Sequence, residues 1–131
     1  MLKGSCLCGA VTYQLDESID QLFFCHCSKC RKATGTAFNS AALIHSDKFT
    51  LLTGKESLKS FSSTPGVHRI FCGECGSPLY SARDNQPEAY RLRIGTLDTP
   101  IHPTEKMHIF TASKAEWEDL CDDNPKFEER P

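Results

Sequence analysis

The sequence predicts a mainly β fold with small helical pieces, and three observations carry that expectation. Apolar and polar residues alternate in short runs, the period of a half-buried strand. Turn signals interrupt these runs at Thr53-Gly54, Thr64-Pro65-Gly66 and Asp84-Asn85. Helical periodicity is scarce, and no βαβ unit of the length a thioredoxin-like fold needs can be found.

In chain order, Val11, Tyr13 and Leu15 share one face of a first strand, with Thr12 and Gln14 on the other. The runs FNSAALIH (Phe38–His45) and KFTLL (Lys48–Leu52) read as the next two strands, and VHRIF (Val67–Phe71) follows the Thr64-Pro65-Gly66 turn. Tyr90, Leu92 and Ile94 repeat the alternation, which turns Arg91 and Arg93 outward. MHIF (Met107–Phe110) is the last strand. In SKAEWEDLC, Ser113 and Glu116 have the spacing of a capping box, so a short helix is expected over Ser113–Cys121. Trp117 and Phe110 are expected to pack in the core.

The length of 131 residues suits one domain, residues 1–131. Such a chain buries roughly two thirds of the surface it exposes when unfolded, enough for a core without disulfides. A formal net charge of −2 gives no global pull toward nucleic acid or anionic lipid. The opening MLKGSCLCGAV is too polar for a signal peptide, and no apolar run approaches the ~20 residues of a membrane span. A soluble, cytoplasmic protein is expected, with neither nucleic acid nor membrane as partner.

Eight cysteines in such a chain need a reason. In a reducing compartment, closely spaced cysteines point to metal ligands or redox groups before structural disulfides. Seven of them fall in three turns: CLC (Cys6, Cys8), CHCSKC (Cys25, Cys27, Cys30) and CGEC (Cys72, Cys75). Zinc favours four thiolate or imidazole donors in a tetrahedron, and two short turns from distant parts of a chain can close such a site. Gly9 follows Cys8 and Gly76 follows Cys75, with Gly73 inside the second turn. Glycine there lets the backbone fold tightly and offers its N–H to the sulfur. CHCSKC has no glycine, so Cys6, Cys8, Cys72 and Cys75 are assigned together to a structural zinc. Cys25, Cys27 and Cys30 are left one donor short, the arrangement of a catalytic site whose fourth position takes water or substrate. Soft thiolates suit a metal that accepts an incoming thiolate, and Lys29, Arg31 and Lys32 are positioned to lower thiolate pKa values or hold a carboxylate. Two other readings stay open at this point. Cys27-Ser28-Lys29-Cys30 also fits a redox dithiol, and His26, His45, His68, His102, His108 or Cys121 would make the site a second structural zinc.

The order GSCLCGAVTY, FCHCSKCRKATGTAF, FCGECGSPLY and HIFTASKAEW resembles the glutathione-dependent formaldehyde-activating (GFA) family, which also includes centromere protein V-like proteins. The resemblance runs from about Gly4 to Trp117 and includes Arg31-Lys32, Gly35 and Gly76-Ser77-Pro78. It implies a β-tent, small antiparallel sheets joined at a structural zinc on Cys6, Cys8, Cys72 and Cys75. It implies a second, labile zinc on the catalytic cysteines Cys25, Cys27 and Cys30. The implied activity is that of a carbon–sulfur lyase handling S-hydroxymethylglutathione, the adduct of formaldehyde and glutathione. The alternative is a non-catalytic module that binds zinc and a thiol such as glutathione.

Overall fold

The computed structural model describes residues 1–131. Its strands are β1 (Leu2–Ser5), β2 (Thr12–Leu15), β3 (Gln21–Cys25), β4 (Asn39–His45), β5 (Phe49–Thr53), β6 (Leu58–Thr64), β7 (Val67–Cys72), β8 (Pro78–Arg83), β9 (Gln86–Arg93) and β10 (Glu105–Ile109), with one α-helix, α1 (Ser28–Thr34). They form a three-stranded sheet in the order β1-β2-β5 and a seven-stranded sheet in the order β10-β3-β4-β9-β8-β7-β6. The mainly β expectation holds. All pairings are antiparallel except β10 with β3, which run parallel.

The core lies between the sheets. Val11, Tyr13 and Leu15 are fully buried, as the alternation predicts, together with Ile44, Leu79 and Leu92. The Tyr13 ring stacks on Phe49 with centroids 5.0 Å apart, and its hydroxyl lies 2.7 Å from Thr96 Oγ1. The ring fits because Gly4 faces it across β1. A Cβ at Gly4 would lie 2.2 Å from Tyr13 Cζ. Cys6 and Cys72 belong to the same buried cluster. Cys6 sits in the turn after β1 and Cys72 ends β7, so this part of the core joins the two sheets.

Three local expectations are corrected. The segment after β10 forms only a single 3-10 turn, Thr111–Ser113, in place of a helix over Ser113–Cys121. Backbone hydrogen bonds elsewhere explain this. His108 N–H donates to Pro125 O and Phe127 N–H donates to His108 O, each at 2.9 Å, and Phe110 and Thr111 donate to Glu129 and Phe127. The C-terminal segment thus lies along β10, and the chain before it loops out to reach there. Trp117 is 70% exposed and packs in no core. Phe110 takes a left-handed backbone, φ 56°, and carries the Arg130 guanidinium 5.4 Å above its ring. Arg93 is only 8% exposed, because the face of β9 opposite the core meets the Cys25–Cys30 turn.

Candidate metal centres

The two glycine-bearing turns close on each other. Cys6 and Cys8 lie between β1 and β2, Cys72 ends β7 and Cys75 follows it before β8, and the four sulfurs all fall within 4.8 Å of one another. Gly9 and Gly76 both take φ +80°, which only glycine adopts without strain. Their N–H groups donate to the Cys6 and Cys72 carbonyls at 3.1 and 2.8 Å, so they tighten the turns through oxygen where sulfur was expected. The sulfur-directed donor at Cys6 is the Val11 N–H, at 3.3 Å. Ser77 ties the turns together. Its hydroxyl accepts from Leu7 N–H at 2.8 Å and lies 3.3 Å from Cys75 Sγ.

This cluster fits a tetrahedral ion. With Zn–S bonds of about 2.3 Å, neighbouring sulfurs of a tetrahedron stand about 3.8 Å apart. Cys6 and Cys8 are 3.6 Å apart and Cys8 and Cys72 3.8 Å apart. The protons are unevenly held. The Ser77 hydroxyl and N–H hold the Cys75 thiol down at about 5. Cys8 is pushed up to about 12, because the neighbouring Cys6, Cys75 and Cys72 groups and burial outweigh the Ala10 N–H that favours its thiolate. Four thiolates packed this closely repel one another, and a cation among them relieves that repulsion.

The third turn closes on itself. Cys25 ends β3, Cys27 caps α1 and Cys30 lies one turn into that helix, which brings their sulfurs within 4.8 Å of one another. No histidine, carboxylate or further cysteine joins them. The Cys27 sulfur accepts from the Cys30 N–H at 3.3 Å, as an N-cap does. Bonds from the Cys25 and Cys30 thiols, helped by that N–H and by Arg69, hold Cys27 down at about 2. Cys25 is raised by the same neighbours and by burial. Cys27 therefore ionises readily, while Cys25 keeps its proton. All eight cysteines are free thiols, and Cys121 is exposed and apart from both clusters.

Four of the five histidines have other partners, and His102 is exposed. His45 bonds Glu17 and His68 bonds Asp84 at the surface, each at 2.8 Å. His26 and His108 are buried and bond each other, His26 Nε2 to His108 Nδ1 at 2.8 Å, while His108 Nε2 reaches Asp122 Oδ2 at 2.8 Å. The carboxylate accepts, so His108 donates from Nε2 and accepts at Nδ1 from the His26 N–H. This chain anchors the Cys25–Cys27 strand end to β10 and the C-terminal segment.

Of the basic residues expected at the three-cysteine turn, Arg31 lies on α1 with its Nε buried and unpartnered. Lys29 donates to the Thr64 hydroxyl at 2.6 Å, and Lys32 points to solvent. Arg69, from β7, places Nη2 3.8 Å from Cys30 Sγ and donates from Nε to Ser63 Oγ at 3.0 Å. Arg93 faces the same turn. The signal for Arg91 and Arg93 was present as alternation, which names a face but not what covers it. Arg69 lay within an expected strand with no sequence signal of its own.

Comparison with known proteins agrees with this arrangement. The family model described as glutathione-dependent formaldehyde-activating enzyme matches residues 1–113. A Halomonas elongata protein provisionally named as a glutathione-dependent formaldehyde-activating enzyme is 30% identical over 129 residues, 92% of this chain and 81% of its own. An uncharacterized lyase of Schizosaccharomyces pombe is 28% identical over 88 residues, 67% of this chain and 62% of its own. The crystal structure of a Rhodobacter sphaeroides protein superposes with a TM-score of 0.63 at 27% identity, covering 75% of this chain and 89% of that one. No helix of the chain is long and apolar enough to cross a membrane. With its seven clustered cysteines in the order and grouping that the fold closes into two centres, the chain belongs to the glutathione-dependent formaldehyde-activating enzyme family.

Proposed function

We propose that the chain is a zinc-dependent carbon–sulfur lyase that joins a thiol such as glutathione to formaldehyde or a related aldehyde, and releases them in reverse. Cys6, Cys8, Cys72 and Cys75 hold a structural zinc, and Cys25, Cys27 and Cys30 hold a second, labile one. The observation that carries this reading is the difference in donor count: four sulfurs in one cluster, three and no further protein donor in the other.

A zinc ion on three thiolates supplies a Lewis acid with one position free for an incoming thiol. The chain's residues keep that position open and fixed. The Cys30 N–H holds the Cys27 sulfur, and the Asp122–His108–His26 chain holds the residue just before it. Arg69 offers positive charge beside Cys30. In the forward direction the thiol sulfur forms a bond to the aldehyde carbon. The carbonyl π bond breaks, its oxygen takes up a proton, and the thiol loses one. The product, R–S–CH2–OH for formaldehyde, contains every atom of both reactants.

Formaldehyde and thiols combine unaided, so the test is a rate above that background. In zinc-loaded wild-type protein, NMR should report faster formation of the formaldehyde–glutathione adduct, and Cys27→Ser should return the rate to background. An unchanged rate in Cys27→Ser would rule this reading out. Saturable glutathione binding without acceleration in the wild type would instead identify a binding module.

A further inference from the structure

Two imidazoles lie in the interior where β3 meets β10. His26 is fully buried and His108 is 2% exposed. Phenylalanines pack around them: the His26 ring centroid is 4.9 Å from that of Phe38, and the His108 centroid 5.1 Å from that of Phe24. Two apolar side chains of the same volume would fill this space at similar or better stability, with no polar nitrogen to bury. What the imidazoles add is direction. The bonds from Asp122 Oδ2 to His108 Nε2 and from His108 Nδ1 to His26 Nε2 are each 2.8 Å long. His26 Nδ1 is buried with no partner, so the bond to His108 alone orients the His26 ring.

The outer end of this chain is itself held. Asp122 Oδ1 accepts from the Asn124 N–H at 3.0 Å and from Lys126 Nζ at 3.3 Å, which leaves Oδ2 turned to His108. The His108 bond, with the Asn124 N–H and Lys126, holds the Asp122 carboxyl down at about 2, so it stays an acceptor. An acceptor there keeps the His108 proton on Nε2 and leaves Nδ1 to receive the His26 N–H. Asp122 lies beyond residues 1–113, the part of the chain that the family model matches.

The inner end is the metal turn. The β10–β3 ladder ends at Ile109 with Cys25, and His26 keeps one backbone bond beyond it, from its N–H to Ile109 O at 3.0 Å. Cys27 lies past that bond and caps α1. The two soft torsions of His26 therefore set where the Cys27 sulfur stands relative to that of Cys25. The four-cysteine cluster has no such chain, and Ser77 ties its turns instead.

We propose that Asp122 and His108 are positioning residues for the three-cysteine centre: acting through His26, they hold the Cys25 and Cys27 sulfurs at metal-binding separation, so that the C-terminal segment sets how tightly this centre keeps a divalent ion. Partners that orient a metal site from outside its ligand set alter metal affinity by about 10–100-fold. The inference rests on the proposed second zinc and is independent of the lyase reaction.

The test is zinc competition with a chromogenic chelator. Alkylation of Cys25, Cys27 and Cys30 against that of Cys6, Cys8, Cys72 and Cys75 assigns each ion to its cluster. Asp122→Ala, at a half-exposed side chain, should raise the dissociation constant of the three-cysteine ion about tenfold or more and leave that of the four-cysteine ion within about twofold. Asp122→Asn keeps an acceptor for His108 and should recover most of the wild-type affinity. His108→Phe, which fills the same space with neither bond, should match Asp122→Ala and carries the test if Asp122→Ala fails to fold. An unchanged three-cysteine constant in the folded variants, an equal loss at both clusters, or an Asp122→Asn protein as weak as Asp122→Ala overturns the positioning role. Failure of both Asp122→Ala and His108→Phe to fold would mark the chain as structural and overturn it as well. A wild type that binds no second ion overturns the proposed second zinc and this inference with it. A wild type that binds two ions, with variants that weaken one as described, keeps the positioning role even where adduct formation is no faster than background, and then only the lyase reading is lost.

Discussion

Replacing Cys72 by serine should take away a third or more of the stability of the fold. Cys72 is fully buried and ends β7, and its sulfur stands 3.8 Å from that of Cys8 in the β1–β2 turn. Structural zinc binds with an apparent ~10–16 kcal/mol in small zinc domains, so one of four ligands carries about 3 kcal/mol. A buried serine hydroxyl left among thiolates costs a further ~1–3 kcal/mol. Together these give a loss of about 5 kcal/mol, against roughly 5–15 kcal/mol for a whole domain. Urea unfolding with zinc in excess should show the midpoint falling by roughly 2–3 M. Cys27→Ser, at a part-exposed sulfur of the three-cysteine turn, should lower stability by about 1 kcal/mol or less. The reasoning fails if Cys72→Ser unfolds at the wild-type urea concentration, or if Cys27→Ser costs as much.

Two further outcomes are expected. Gly4→Ala drives a Cβ to 2.2 Å from Tyr13 Cζ and 2.3 Å from its hydroxyl, so the ring must leave its slot and its bond to Thr96. Overpacking and the lost bond predict about 3 kcal/mol, read as a melting temperature roughly 10 °C lower, and Tyr13→Leu in the same chain should recover part of it. His45 has its pKa raised by its hydrogen bond to Glu17 and by the Glu17 charge. A group raised on folding stabilises fully below its unfolded value, near 6.5, and loses that contribution as pH rises through the folded one. Glu17→Gln should therefore lower the denaturation midpoint at pH 6 more than at pH 9, and an equal drop at both would show that the pair's charge contributes nothing.

The sequence locates six of the ten strands and misses β3 and β8, although both bury side chains. Alternation, or a short β-prone run bounded by turn signals, located β2, β4, β5, β7, β9 and β10. β6 (LKSFSST) is mostly exposed, and β1 (LKGS) buries mainly a glycine, so neither leaves a pattern. Helix α1 buries only Cys30, which gives no helical stripe. The capping-box spacing at Ser113 misled because tertiary hydrogen bonds to the C-terminal segment outweigh a local propensity. At the candidate site the cysteine turns were legible because ligand geometry is local, and glycine placement paired two of them correctly into one cluster. The Asp122–His108–His26 chain and the placement of Arg69 and Arg93 were not legible, since each joins residues far apart in sequence through sheet register.

The central claim is that the two cysteine clusters differ in kind, one closed and one open. Native mass spectrometry during stepwise chelation, paired with alkylation mapping, tests it most directly. Two zinc ions are expected at the start and then a discrete one-zinc species, in which Cys25, Cys27 and Cys30 are alkylated while Cys6, Cys8, Cys72 and Cys75 remain protected. Simultaneous loss of both ions, or alkylation of the four-cysteine cluster first, would contradict it.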